Sequence, residues 1–158
     1  MASELRVDRI IPVNGVPTGG GGGIIQVVQG SYSTQTSFTT GSYADTGLTA
    51  SITPTSSASK ILIIVHHASC SKDTTSSSGR FDTILLRGST EITKFGDNDA
   101  YTATTVDNHI GTVSTTYLDS PATTSTVTYK TQIKNEAGTV YFCINNAKST
   151  LTLMEVSG

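Results

Sequence analysis

The sequence predicts an all-β protein, an antiparallel β-sandwich with an extended N-terminal arm. Three observations predict it. Short apolar or alternating runs recur at close spacing, punctuated by Gly30, Gly41, Pro54, Gly79, Gly88, Gly96, Pro121 and Gly138. Ser and Thr fill roughly 30% of the chain, and Thr suits an exposed sheet face because its β-branch favours extended backbone. The last third, from Thr115 onward, contains three successive strand patterns and no helical one.

Three zones follow in chain order. Residues 1–18 form an arm, residues 19–23 are five consecutive glycines, and residues 24–158 are one β domain. The 158-residue length suits a single domain. The arm carries Leu5, Val7, Ile10 and Ile11, with Pro12 and Pro17 against a long helix. A short strand or docking peptide and a frayed terminus are both open readings. The aliphatic series favours docking, because a purely solvated tail has little use for it. Gly19–Gly23 is a flexible joint, since glycine meets no steric barrier at any backbone angle. It is not a phosphate loop: it follows Pro17 and opens a strand rather than a helix.

Strands are expected near 24–29, 36–40, 48–53, 60–68, 80–87, 90–95, 109–118, 126–134, 139–144 and 149–156. Ile61-Leu-Ile-Ile-Val65 is continuously apolar, so both its faces are expected to be covered. In 126–134, Val127, Tyr129, Thr131 and Ile133 alternate with Thr128, Lys130, Gln132 and Lys134, which gives one wet face. The last strand is two-faced. Leu151 and Leu153 point one way, and Met154 and Val156 the other. All four are assigned to an oligomer interface, as the simplest second core.

Charge and motifs exclude several functions. Net charge is −2 and the ten Lys and Arg are scattered singly, which argues against nucleic-acid binding. No apolar run approaches the ~20 residues of a membrane-spanning helix, so no membrane insertion is expected. The charged start, Met1 to Ile10, is unlike a signal peptide, and places synthesis in a cytoplasm. Cys70 and Cys143 read as buried free thiols on strands. His66 and His67, adjacent on a strand, face opposite ways and cannot easily chelate one ion together; one of them could meet His109 across the sheet, or a histidine of a symmetry mate, which is the minor reading. Asp97-Asn-Asp99 resembles the start of a calcium loop but lacks the later glycine and glutamate, and reads as a turn. Nothing in the spacing of Asp82, Asp107 and Asp119 pairs two carboxylates for catalysis, and no Gly-x-Ser-x-Gly elbow occurs. No enzyme activity, cofactor or metal is therefore expected. Tyr32, Tyr43, Tyr101 and Tyr117 fall in loops or at strand ends, where exposed tyrosines amid Ser, Thr, Gly and Asn suit recognition. The longest polar loops, 72–79 and 96–106, put Lys72, Asp73, Asp97, Asn98 and Tyr101 at candidate receptor-facing tips.

Several segments resemble tailed-bacteriophage virion structural and tail-fibre proteins. They are Asp45-Thr-Gly-Leu-Thr-Ala-Ser-Ile-Thr-Pro54, Ser59-Lys-Ile-Leu-Ile-Ile-Val65, Tyr117-Leu-Asp-Ser-Pro121, Thr128-Tyr-Lys130 and Ala147-Lys-Ser-Thr-Leu-Thr-Leu-Met-Glu155. The opening Leu5-Arg-Val-Asp8 is similar to short starts of phage fibre proteins. The resemblance spans residues 24–158, and the arm more loosely. It implies a jelly-roll-like, tumour-necrosis-factor-like head that forms a homotrimer, with no catalytic residues to carry over. The function it implies is a short tail fibre or fibre-head in the virion, assembled in the host cytoplasm. Its partners would be other virion proteins, bound through the arm, and a host-surface glycan or protein. The alternative is a capsid decoration or cement protein forming trimeric knobs on the phage head.

Overall fold

The computed structural model describes residues 23–39 and 41–158. The arm residues Leu5, Val7, Ile10 and Ile11, and Gly19–Gly22 of the glycine run, lie outside the described residues.

Ten strands form where the alternating patterns place them. They are β1 (Ile24–Tyr32), β2 (Thr36–Phe38), β3 (Ala44–Ile52), β4 (Lys60–Lys72), β5 (Arg80–Arg87), β6 (Thr90–Asp99), β7 (Asn108–Asp119), β8 (Val127–Ala137), β9 (Val140–Phe142) and β10 (Ser149–Val156). A short 3-10 turn, Ile144–Asn146, replaces the end of the strand expected over 139–144. Cys143, Asn145 and Asn146 there take left-handed backbone angles, which cannot continue a ladder.

All strand pairs are antiparallel. One sheet runs β1-β10-β4 with β7 on the far side of β4; the other runs β3-β8-β5-β6. The last residues of β4, Ser71 and Lys72, also pair with β9, which in turn pairs with β2. Take the eight long strands in chain order. The first, eighth, third and sixth make one sheet; the second, seventh, fourth and fifth make the other. This interleaving is the jelly-roll order, and it lets two four-stranded sheets bury one face each. Only β5 and β6 are joined by a tight hairpin. Gly88 sits first in its two-residue turn at φ 60°, as a type II′ turn requires.

The core lies between the sheets. Leu48, Ile52, Ile61, Ile63, Val65, Leu85, Tyr129, Leu151 and Leu153 form one cluster, all but sealed from solvent. Phe38, Cys70, Phe81, Val113, Ile133, Val140 and Phe142 form a second. Between them the buried ring of His67 meets Thr131 Oγ1 at 2.9 Å, and Thr131 meets Thr46 Oγ1 at 2.6 Å. Where β1 crosses β3 the backbones almost touch. A Cβ on Gly30 would collide with the Thr49 carbonyl oxygen, and one on Gly47 (φ 86°) with the Tyr32 ring.

Both ends of the sandwich are pinned by hydrogen bonds between loops. At one end, Ser157 N–H donates to the Gly23 carbonyl (3.1 Å), Gln26 Nε2 to the Thr53 carbonyl (2.8 Å) and Gly88 N–H to the Thr128 carbonyl (2.8 Å). At the other, Lys72 Nζ donates to the Thr104 carbonyl (2.6 Å), Asp73 N–H to the Thr139 carbonyl (3.0 Å) and Asn145 N–H to Gln35 Oε1 (3.1 Å). Gly23 and Ser157 therefore lie at one end, and the β4–β5, β6–β7 and β8–β10 connections gather at the opposite end.

Leu153 is fully buried in the first cluster. Leu153→Ala should cost about 2–5 kcal/mol of stability through lost transfer energy and the cavity left behind. Urea unfolding followed by far-ultraviolet circular dichroism checks this; a change under about 1 kcal/mol would contradict the packing described.

Candidate functional site: the outer sheet face and the distal loops

A strand exposes alternate side chains to opposite faces, and a two-layer sandwich buries only one face of each sheet. In β4 the inward residues are Ile61, Ile63, Val65 and His67. The outward ones are Leu62, Ile64 and His66. Ile64 is 37% exposed, so the expectation that this apolar run is covered on both faces is not met among the described residues.

The pairing register shows what surrounds it. Val27 lies opposite Met154, Met154 opposite Leu62, and Leu62 opposite Leu118. One apolar rung thus crosses all four strands. The next rung is mixed: Gln29, Thr152, Ile64 and Thr116. The third is polar: Ser31, Thr150, His66 and Ser114. Seven large hydrophobic residues are exposed among the described residues. Five of them, Ile24, Ile25, Val27, Ile64 and Leu118, lie on β1, β4 and β7 of this sheet; Tyr101 and Val106 lie in the β6–β7 loop. Such clustering is unlike the scattered single residues of an ordinary monomer surface.

The sequence-assigned interface residues divide here. Leu151 and Leu153 face inward and are sealed in the chain's own core, so they offer nothing to a partner. Met154 and Val156 face outward, half-buried, in the apolar part of the sheet. Sequence reasoning missed Val27, Leu62, Ile64 and Leu118. The unbroken run Ile61–Val65 pointed to the second and third of these. Leu118 needs the β4–β7 register, which no local pattern supplies.

Glu155 was also missed. It sits among the inward residues of β10 and is fully buried. Burial pushes its carboxyl up, but Gln26 Nε2 (2.6 Å) and the Thr55 N–H and Oγ1 (both 2.7 Å) outweigh this and hold it at about 2. It ties the last strand to the β3–β4 loop.

The expected loop residues behave differently from one another. Lys72 is not at a tip. It ends β4, is fully buried, and gives its ammonium to the Ser76 and Thr104 carbonyls. Its long stem packs inward while its charge organises two loops. Asp73 accepts from the Thr75 and Thr139 N–H groups, so it shapes the same loops. Asp97 and Asn98 end β6 and are exposed; Asp97 pairs with Lys94 Nζ at 2.7 Å. Tyr101 is 52% exposed, with the Arg80 guanidinium 5.8 Å from its ring centroid. Tyr117, by contrast, is within β7 and packs on the core.

The candidate chemical groups stay apart. Asp119 accepts both contacts from Arg87 Nη1 (2.9 and 3.1 Å) and the Tyr129 hydroxyl (2.7 Å). Asp82 holds Lys94 (2.9 Å) and the Asn98 N–H (3.0 Å). His109 pairs with Ser71, far along the β4–β7 ladder from His66 and Ser114. Among the described residues no three His, Cys, Asp or Glu come together as a metal site. Cys70 is on β4 with its thiol pushed up to about 12 by burial; Cys143 lies just past β9, so only one of the two is on a strand. Both are free and buried.

No family model matches the chain, and no curated protein matches it. Among solved structures it is similar to the VP2 subviral particle of infectious bursal disease virus. The TM-score is 0.44 and the identity 14%, over 84% of this chain and 40% of that one. It is likewise similar to the Gt strain of that virus, at a TM-score of 0.40 and 15% identity, over 84% of this chain and 38% of that one. The chain thus spans about two fifths of the length of those proteins. Likenesses this distant carry no argument about function.

His67 provides a pH test of the core. Burial holds its imidazole at about 3, below the ordinary 6.5, and its Nδ1 has no hydrogen-bond partner. The unfolded chain gains a proton as pH falls through 6.5 while the folded chain does not. Stability is therefore full above 6.5 and is lost towards 3. Between pH 6.5 and 5 the loss should be about 2 kcal/mol. Urea titrations of the natural protein and His67→Gln at both pH values check this: the variant should lose less by that amount.

Proposed function

We propose that this chain is a virion structural protein: a trimeric fibre-head, attached through its N-terminal arm and presenting its opposite end to the host surface. The single observation that carries the reading is the outward apolar face of the β1-β10-β4-β7 sheet. Each inner face of the sandwich already has its core. An aliphatic rung across a whole sheet, flanked by Ile24, Ile25, Ile64 and Val156, is stabilised by burial against something of matching chemistry. A copy of the same face is the simplest such surface, and closed cyclic symmetry is the usual way identical subunits supply it.

Two further features support the fibre-head form. Gly23 is at the end of the sandwich where β10 finishes, so residues 1–22 join the domain there. The connections 73–79, 100–107 and, with β9 inside it, 138–148 are at the other end. A knob held by its arm would thus leave these connections pointing away from the particle. The resemblance of the sequence segments to tail-fibre proteins agrees with this. The arm's Leu5, Val7, Ile10 and Ile11 would contribute about 1.5–3 kcal/mol each when buried on a partner, before ordering costs. Extended segments of this kind commonly dock by adding a strand to a sheet edge.

Met154→Asp tests the interface. Met154 is outward on the monomer, so the variant should still fold, with a natural far-ultraviolet circular dichroism spectrum, while its melting drops to that of the separated subunit. In a buried interface an unpaired carboxylate costs roughly 3–5 kcal/mol, enough to split the oligomer. Light scattering on both proteins checks this. A natural protein that is monomeric at micromolar concentration would sink the interface.

Deleting residues 1–18 tests the arm. The expected product is a soluble oligomer of natural melting temperature that no longer copurifies with virions. Normal incorporation would remove the arm's role, and a collapse in melting would make the arm part of the core. Copy number on the natural particle separates a few fibres on the tail from many cement knobs on the head.

A further inference from the structure

At the end opposite Gly23, the start of β5, the last residues of β6 and the β6–β7 loop frame a depression of about 430 Å³, lined by Arg80, Asn98 and Tyr101. Its volume is within the usual range for small-ligand sites, ~300–1,000 Å³. Its chemistry is unlike the Ser/Thr surface around it. Tyr101 presents an aromatic face, and its hydroxyl has no hydrogen-bond partner among the described residues. Arg80 stands over that ring and donates from Nη1 to the Ser78 carbonyl (3.2 Å), while its Nε is shielded from solvent and has no partner among the described residues. The Asn98 amide gives one N–H to Asp97 (3.3 Å) and leaves its oxygen without a protein partner.

The depression is held in shape. Asn98, Ala100 and Ala103 all take positive φ (56°, 66° and 56°), a conformation alanine rarely adopts. Strained backbone of this kind persists only where surrounding contacts fix it, and it gathers at ligand sites. The contacts are present here. Asn108 Nδ2 donates to the Ala100 carbonyl (3.0 Å), Lys72 Nζ to the Thr104 carbonyl (2.6 Å), and Thr102 and Thr104 bond each other. A loop ordered before binding loses less entropy when a ligand arrives.

We propose that this depression binds a neutral sugar ring of a surface glycan. An aromatic face takes the C–H face of a pyranose, while a guanidinium and a carboxamide suit its hydroxyls, as donors and acceptors in fixed geometry. The local charge opposes an acidic ligand: the three carboxylates of Asp82, Asp97 and Asp99 lie around Asn98, against the two cations of Lys94 and Arg80. The proposal rests on the fibre-head reading only in taking the loop end as the outward one.

The test uses the full-length protein and a defined panel: methyl α-glucopyranoside, methyl α-mannopyranoside, methyl α-galactopyranoside, sodium glucuronate and N-acetylneuraminic acid. Amide and aromatic NMR shifts are followed on titration. At least one neutral glycoside should move the Tyr101 and Asn98 signals with a Kd on the order of 1 mM. Tyr101→Ala should weaken binding about tenfold or more, whereas Tyr101→Phe, which keeps the ring, should stay within about threefold. Tyr101 is exposed, so both variants should keep the natural spectrum elsewhere. No shift at Tyr101 with any neutral glycoside up to about 50 mM overturns the site. So does a response to the acidic sugars alone, or equal binding by Tyr101→Ala. In each of these cases an intact oligomer that still attaches to virions leaves the fibre-head reading in place.

Discussion

A two-layer sandwich has one interior, yet every strand has two faces. That constraint governs this molecule. β4 pairs along its whole length with β7, and on its other side with β10 and then β9. It is the spine of its sheet, and its sequence is apolar on both faces from Ile61 to Val65. The inward half seals the core. The outward half has no cover among the described residues. β10 and β1 repeat the situation at Met154, Val156 and Val27, and the antiparallel register gathers these residues into one patch. A slip of one residue would move Leu151 and Leu153 outside and break both the core and the patch.

The interior is not uniformly apolar. Two hydrophobic clusters are separated by His67, Thr131 and Thr46, whose side chains satisfy one another across the two sheets. His67 is enclosed by Phe95 and Phe142, with ring centroids at 6.3 and 4.7 Å. A partly satisfied polar layer contributes less stability than apolar packing would, but it fixes which residues face each other. Here it joins β4, β8 and β3, one strand from the first sheet and two from the second. Glu155 does the same at the end where the chain enters, and Lys72 does it at the loop end. Three buried polar groups thus hold the ends and the middle of a sandwich with no disulfide.

The same ties give the domain a direction. The jelly-roll connections put the β3–β4, β5–β6 and β7–β8 connections with Gly23 and Ser157, and the β4–β5, β6–β7 and β8–β10 connections at the far end. The far-end loops are ordered by Lys72, Asp73 and Asn108 and carry the left-handed Ala100 and Ala103; Ala122 takes the same conformation in the β7–β8 loop. One end holds Gly23 and Ser157, the other the β4–β5, β6–β7 and β8–β10 connections, and an exposed apolar sheet face lies between them.

By itself the sequence determined the class of structure and the place of nearly every strand, because alternation of apolar residues and Gly/Pro punctuation are local signals. It located the two faces of Leu151–Val156 for the same reason. It did not determine which face was the core. Leu151 and Met154 are both apolar, and only the pairing of β10 between β1 and β4 turned one inward and left the other outside. It placed Lys72 at a tip because lysine is ordinarily solvated; the tertiary structure buried it beneath carbonyls supplied by residues 76 and 104. Nor could it join Val27, Met154, Leu62 and Leu118, which are separated by up to 127 positions (154 − 27) along the chain. Arg80, Asn98 and Tyr101 came together because β5 pairs with β6, which sets Phe81 opposite Asp99, and the loop after β6 carries Tyr101 to Arg80. Local pattern fixes a strand and its two faces; long-range register decides which residues share a surface, and function is read from shared surfaces.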